Sequence, residues 1–281
     1  MRPGETTANE FDAQMRVISS SFVSETFGSL IERRRSGNSN ENTVVVTFDD
    51  GYRDNIEIAL PILRKYGVKA TFFLATGYLD GGMMWNDRLI EAMRASVGRT
   101  VDLCNAGMGQ LHIGDLAVAQ HSTKRVLSTI KRWPQAERSE FVDEIARSAG
   151  VDFSARTMMN GPEVVSLADA GMEIGGHTVT HPILRTLTAD QSRNEITECK
   201  SMLEDLIRRE VVSFAYPNGR PGQDFSEDDV VRVREAGYQG AATTEWGCAL
   251  PVSDNFRIPR QSLWGSSRSR LWAQLVRNFL S

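Results

Sequence analysis

The apolar positions of this chain change period repeatedly, from the three-to-four spacing of helices to short continuous runs typical of buried strands. Phe11, Met15, Ile18 and Phe22 recur at near-helical spacing. Phe27, Leu30 and Ile31 follow before the polar run ERRRSGNSNEN, so the pattern predicts two short helices and a loop. TVVVTF (43–48) is β-branched and apolar throughout, the mark of a strand buried on both faces. Asn55 to Lys65 reads as a helix that stops near Gly67, with a kink expected at Pro61. KATFFLA (69–75) reads as a second buried strand. A strand, a helix and a strand in this order imply a parallel pair joined by a right-handed crossover.

The same rhythm returns in the second half. Pro162 to Ala170 reads as a short helix with proline in its first turn, and MEIGG (172–176) as a strand. Thr188 followed by Gln191 forms a capping box that opens a long helix to about Arg209, with Ile196, Leu203 and Leu206 inward. VVSFAY (211–216) reads as a strand, Ser226 caps a helix ending at Gly237, and YQGAAT (238–243) is the next strand. FRIPR (256–260) closes the strand series, and Leu271 to Phe279 is an amphipathic helix. Between the halves the pattern is less regular. Trp85–Met93 and Ala136–Ala149 read as helices, and the patch around NAGMGQLHIGD reads as an insertion. With no internal repeat and no low-complexity linker, the alternation favours one barrel-like α/β domain over two domains.

Composition narrows the classes. At 281 residues the chain can bury a full core, and its net charge of −4 comes without a basic stripe or tail, which speaks against nucleic acid and anionic membranes as partners. Cys104, Cys199 and Cys248 are far apart and odd in number, offering neither a C-x-x-C metal spacing nor a disulfide framework. MRPGETTANEFDAQ lacks the apolar core of a signal peptide, and no stretch is long enough to span a bilayer, so a cytoplasmic location is expected unless residues upstream of Met1 direct export. Nothing in the pattern fixes an oligomeric state.

The chemistry gathers where strands end. In parallel α/β folds the reactive groups stand at the carboxyl ends of the strands. After TVVVTF come Asp49 and Asp50. After MEIGG comes HTVTHP with His177 and His181, half of the four histidines in the chain. After VVSF come Tyr216, Pro217 and Asn218. Adjacent carboxylates repel unless a cation or a proton is shared. Two imidazoles and a carboxylate with open positions suit Zn²⁺ first, and also Co²⁺, Ni²⁺ or Fe²⁺. Taken singly each segment has a plainer reading: Asp-Asp-Gly and Tyr-Pro-Asn-Gly are turn formers, and a lone H-x-x-x-H is usually two surface histidines. All three at strand ends together would need independent accidents.

These residues resemble a known family. TFDDGY followed by KATFFLATGYL, then MEIGGHTVTHPILRTLT and FAYPNG, is similar to the first three motifs of the polysaccharide deacetylases, carbohydrate esterase family 4 with the NodB-homology fold. The likeness runs from about Thr43 to Arg260. It implies a distorted (β/α)7 TIM-like barrel, a single domain over 43–281 with an irregular insertion at about 97–160 after the second strand. The segment 1–42 would be helical and pack on the barrel. It also implies that Asp49 is the general base, that Asp50, His177 and His181 hold the metal, and that the Tyr216 N–H helps hold an oxyanion. An N-acetylated glycan is the implied substrate, with Trp85, Tyr216, Asn218 and Trp246 (and Trp264) placed to meet sugar rings.

Two departures stand out. The arginine usual near the start of the third motif is absent, and Arg260 is expected to set the base in its stead. The usual final Leu-x-His motif, which supplies a general acid, has no counterpart in RQSLWGSSRS, and no histidine follows Cys248. Protonated Asp49 is then the simplest donor, and slow turnover is expected. The Tyr-His strand that often opens this fold is also missing, so an incomplete barrel edge is expected. The implied function is metal-dependent removal of N-acetyl groups from a GlcNAc-containing poly- or oligosaccharide. The alternatives are a metal-independent C–N hydrolase of a small ureide or amide, whose branches tend to lose the metal ligands that persist here, and a degenerate carbohydrate-binding homologue.

Overall fold

The computed structural model describes residues 6–38, 42–80, 82–151, 153, 156–250, 253–263, 265 and 267–279. The chain divides into two compact units, one made of Met1–Asp80 and Met159–Ser281, the other of Gly81–Met158.

The first unit begins with α1 (Ala8–Ser21), opened by a capping box between Thr7 and Glu10 and burying Met15 and Ile18. A three-residue strand, β1 (Val23–Glu25), leads into α2 (Phe27–Arg35), whose cap is the Thr26 side chain. Then come β2 (Thr43–Phe48), α3 (Leu60–Tyr66) and β3 (Ala70–Leu74). In the second unit, α4 (Trp85–Ala95) is followed by the hairpin strands β4 (Thr100–Asp102) and β5 (Gln110–His112) and by α5 (Leu116–Ile130) and α6 (Gln135–Ala149). The first unit resumes with α7 (Gly161–Asp169), β6 (Glu173–Gly176), α8 (Ala189–Ile207) and β7 (Ser213–Ala215). It closes with α9 (Glu227–Glu235), β8 (Gly240–Trp246), β9 (Ile258–Arg260) and α10 (Arg268–Phe279). Among the described residues no helix is long and apolar enough to cross a membrane.

Seven strands form one sheet in the order β1-β2-β3-β6-β7-β8-β9, every neighbouring pair parallel. The sheet curls as a half-barrel of the expected (β/α)7 kind. After β2 the crossover helices α3, α7, α8 and α9 pack on one outer face. Phe72, Ile174 and Phe214 point to that layer, where Leu63, Ile196, Leu203 and Val233 complete the core. Phe73, Ala215 and Ala242 point the other way and meet Phe27 and Ile31, so α2 fills the bowl of the sheet. The glycines of EIGG make the close fit possible. A Cβ on Gly175 would stand 2.5 Å from the Phe73 ring, and one on Gly176 would stand 2.3 Å from the Tyr238 hydroxyl.

Three expectations change here. The barrel edge is not bare: β1 pairs with β2, Val23 opposite Thr43 and Glu25 opposite Val45. This strand has no apolar alternation of its own and exists through its partner. β2 is half-buried along its whole length rather than buried on both faces, because its outer neighbour covers only Thr43–Val45. The helix after β2 starts with a π-helical turn, Asn55–Ala59, in which the Leu60 N–H bonds back to Asn55; α3 proper then carries Pro61 in its first turn, where the missing N–H no longer matters.

The second unit has its own core of Leu89, Met93, Val126, Ile130, Phe141 and Ile145. Its helix α5 lies where no helix was expected. The buried face of α5 includes Ser122 and Thr123 while Leu116 is 55% exposed, so polarity and burial disagree and the 3.6 period is masked.

Candidate metal centre and its carboxylate base

The carboxyl ends of β2, β6 and β9 bring together side chains that are far apart in sequence. Asp49 and Asp50 follow β2 directly, His177 follows β6, and Arg260 is the last residue of β9. The chain turns sharply at the aspartates: Asp50 has φ +74° and Gly51 φ +98°. Asp is one of the few side chains that tolerates the left-handed region. This corner is therefore a turn, as its composition suggests, and it also sends the two carboxylates to different partners.

Asp50 faces the imidazoles. Its Oδ1 lies 3.5 Å from His177 Nε2 and 3.4 Å from His181 Nε2. Ligand atoms at about 2.0–2.1 Å from a tetrahedral ion stand about 3.4 Å apart, so these separations suit one small cation. Asp50, His177 and His181 are a possible metal-holding group among the described residues, their candidate atoms within 4.8 Å of one another. The donor set is of the right kind. His177 Nδ1 contacts the Ala215 carbonyl at 2.6 Å, which places its proton there and turns the Nε2 lone pair toward Asp50. Burial works against charging both His177 and Asp50, yet each other's charge prevails: His177 is pushed up and Asp50 held down. A metal would compete with the His177 proton, so its affinity should fall with pH.

Asp49 faces Arg260. Arg260 Nη1 donates to Asp49 Oδ1 at 2.7 Å and Nη2 to Oδ2 at 2.8 Å, a bidentate fork. The guanidinium is itself fixed: Nη1 also reaches Thr47 Oγ1 at 3.1 Å, and Nε donates to the Thr243 carbonyl at 2.9 Å. Burial alone would raise the Asp49 pKa, but the Arg260 charge and hydrogen bonds, with His177 and His181 assisting, bring it down to about 2. The expected pairing of Arg260 with Asp49 is thus present in the geometry.

Replacing Arg260 by glutamine is expected to lower unfolding stability by about 1–3 kcal/mol, less than the 3–5 kcal/mol of a fully buried pair, because the Asp49 side chain keeps 31% of its surface. The depressed carboxyl contributes stability above its ordinary value of 3.8 and loses it as pH falls toward 2. The gap between parent and R260Q in urea titrations should therefore be full at pH 7 and close over that acid window. Equal midpoints at pH 7 would remove the pair from the account.

Other expected residues fare differently. Tyr216 is a core residue: its ring stacks on Phe225 at 3.8 Å between centroids, and its hydroxyl donates to the Phe256 carbonyl. Its N–H, expected to face an oxyanion, donates to the Ala242 carbonyl at 3.2 Å. Extending the parallel ladder by one residue beyond β7 consumes that donor. Trp85 belongs to the second unit, where the Arg138 guanidinium covers its ring at 4.4 Å, so that face is not open to a sugar. Asn218 is exposed in a left-handed turn at φ +60°. Trp246 is 47% exposed and lies directly across from Arg260 in the β8–β9 register. Trp264 lies outside the described residues. The remaining histidines, His112 and His121, belong to the second unit.

Sequence reasoning passed over Glu195 on α8, whose carboxylate meets the backbone between the two histidines. A signal existed: Glu195 is a charged residue beside the inward stripe of Ser192, Ile196 and Cys199.

Residues 36–241 match the profile of the family described as polysaccharide deacetylase. YxkH of Bacillus subtilis (strain 168), provisionally named a polysaccharide deacetylase, is 24% identical over 209 residues, 74% of this chain and 47% of that protein. The chain thus spans about half the length of this curated relative. Among solved structures, the Streptococcus pyogenes deacetylase PplD in complex with acetate is similar with TM-score 0.62 and 18% identity, over 98% of this chain and 92% of that one. IcaB from Ammonifex degensii is similar with TM-score 0.60 and 15% identity, over 98% and 91%. At these identities the two structures speak for the fold.

Proposed function

The chain belongs to the polysaccharide deacetylase family, and from that premise we propose that it is a metal-dependent hydrolase that removes N-acetyl groups from a GlcNAc-containing poly- or oligosaccharide. One observation carries the reading. An Arg260-clamped Asp49 stands next in sequence to an Asp50 that shares its oxygen with two imidazoles. Neighbouring carboxylates given different environments take different roles. The acetate in the similar PplD structure is the product such a reaction releases.

Asp50, His177 and His181 would hold the ion, with Zn²⁺ the first choice for this donor set and Co²⁺, Ni²⁺ or Fe²⁺ as others. When bound, it would supply Lewis-acid polarisation of the acetyl carbonyl and a lowered pKa for water. Asp49 accepts the proton of the attacking water. Arg260 keeps Asp49 ionised and aimed while this happens. The C–N bond then breaks, and Asp49 returns the proton to the departing amine, leaving acetate and a free amino sugar. With no histidine after Cys248 to supply that proton, Asp49 serves as both base and acid, and turnover is slow. Trp246, exposed beside Arg260, is the aromatic best placed to stack on a sugar ring.

A second reading, a sugar-binding homologue without turnover, draws on the absence of any histidine after Cys248. Acetate release from GlcNAc oligomers, with and without a chelator, separates the two. Release that the chelator abolishes and zinc restores is the expected result. Binding without release would favour the second reading, and release indifferent to chelator would overturn the metal requirement.

A further inference from the structure

The segment between the two histidines is held from both sides. Thr178 has φ +66° and His181 φ +54°, so two residues with side chains sit in the left-handed region within four positions. Such backbone persists only where its surroundings over-determine it. On one side the loop carbonyls are taken up: Thr76 N–H donates to Thr178, Gly77 N–H to Val179 at 2.8 Å, and the Tyr78 hydroxyl to Thr180 at 3.0 Å. On the other side the loop amides need an acceptor, and Glu195 supplies it. The N–H groups of Val179 and Thr180 both converge on Glu195 Oε2 at 2.8 Å, and the Thr180 hydroxyl donates to Oε1 at 2.6 Å. Successive amides focused on one anionic oxygen form a nest. No Lys or Arg pairs with Glu195 among the described residues, so its charge serves this loop. The His181 N–H completes the arrangement by donating to Thr178 Oγ1 at 3.1 Å.

We propose that Glu195 is a positioning residue for the candidate metal centre: its carboxylate holds the loop 178–181 in the left-handed geometry that aims His181 Nε2, together with His177, at Asp50. The inference rests on the ligand reading given above. Without the carboxylate, two adjacent amides lose a charged acceptor, the strained residues relax, and the imidazole of His181 swings from the position at 3.4 Å from Asp50. His177 is anchored independently through the Ala215 carbonyl, so the loss falls on one ligand of the set.

The test is zinc affinity, measured by competition with a chromogenic chelator well below the unfolding temperature, on the full chain and on variants whose folding is verified by circular dichroism. Glu195→Ala should weaken zinc binding by about 10- to 100-fold, the range typical of groups that orient a ligand. Glu195→Gln keeps the shape and one carbonyl acceptor, so it should recover most of that loss and remain about threefold weaker than the parent. A residue important only for folding would lower the melting temperature and leave the affinity of the folded protein unchanged. Parental affinity in folded E195A therefore overturns the inference. If E195A does not fold, E195Q decides, and an unchanged affinity there overturns it. A parent protein that binds no zinc, or whose binding survives His181→Ala, would instead sink the ligand reading and the inference with it.

Discussion

Replacing Asp49 by asparagine is expected to lower the rate of acetate release by about 10²- to 10⁴-fold while zinc stays bound. Asparagine has nearly the same shape, so the loss would come from chemistry. It cannot take a proton from water, and its NH₂ group would face a guanidinium that already presents two donors, at 2.7 and 2.8 Å, to the present carboxylate oxygens. The amide oxygen can accept from one of those donors only. Because Asp50 and the imidazoles are untouched, metal content should match the parent, and that contrast distinguishes a lost base from a collapsed site. Full activity in D49N would refute the assignment of the base. An equal fall in activity and in bound zinc would mean that Asp49 belongs to the ligand set instead.

The second large effect concerns the ligands. His177→Ala should abolish stoichiometric metal, and with it chelator-sensitive activity, as read by elemental analysis of protein purified without an affinity tag. His177 is 1% exposed and bonded to the Ala215 carbonyl. Its removal therefore also leaves a cavity and a buried acceptor, costing about 2–4 kcal/mol. His181→Ala is the cleaner companion: that side chain keeps 17% of its surface, so the variant should fold like the parent and still lose the metal. Retention of a stoichiometric ion in folded H181A would show that another group completes the site. Falling pH should mimic both variants reversibly. The His177 pKa is raised, and below it the proton occupies the lone pair the ion needs.

Much of the site is legible in the sequence. The run TVVVTF ended in two carboxylates, MEIGG ended in HTVTH, and general knowledge of parallel sheets placed both at carboxyl ends. Arg260 was reached only through the resemblance, which implies an arginine that the third motif here lacks and that the end of FRIPR offers in its stead. Tyr216 was misread because its motif suggested an open N–H, whereas hydrogen-bond satisfaction is settled by where the neighbouring strand stops; here the Ala242 carbonyl is still in reach. Trp85 carries no sequence mark that distinguishes a sugar platform from a surface under an arginine, and Arg138 covers one face of its ring. β1 escaped because three residues cannot display a period, and α5 because its buried face holds serine and threonine.

By itself the sequence determined where most of the strands and helices run, their parallel arrangement and the residue types available for chemistry, because hydrophobic period and capping act within a few residues. The tertiary structure alone decided which of Asp49's neighbours would clamp it, which amide was already bonded, and which acid would brace the histidine loop. Those choices depend on distances of about 3 Å between residues as far apart as 49 and 260. No local pattern encodes such distances, since they are set by how the sheet curls and where each strand ends.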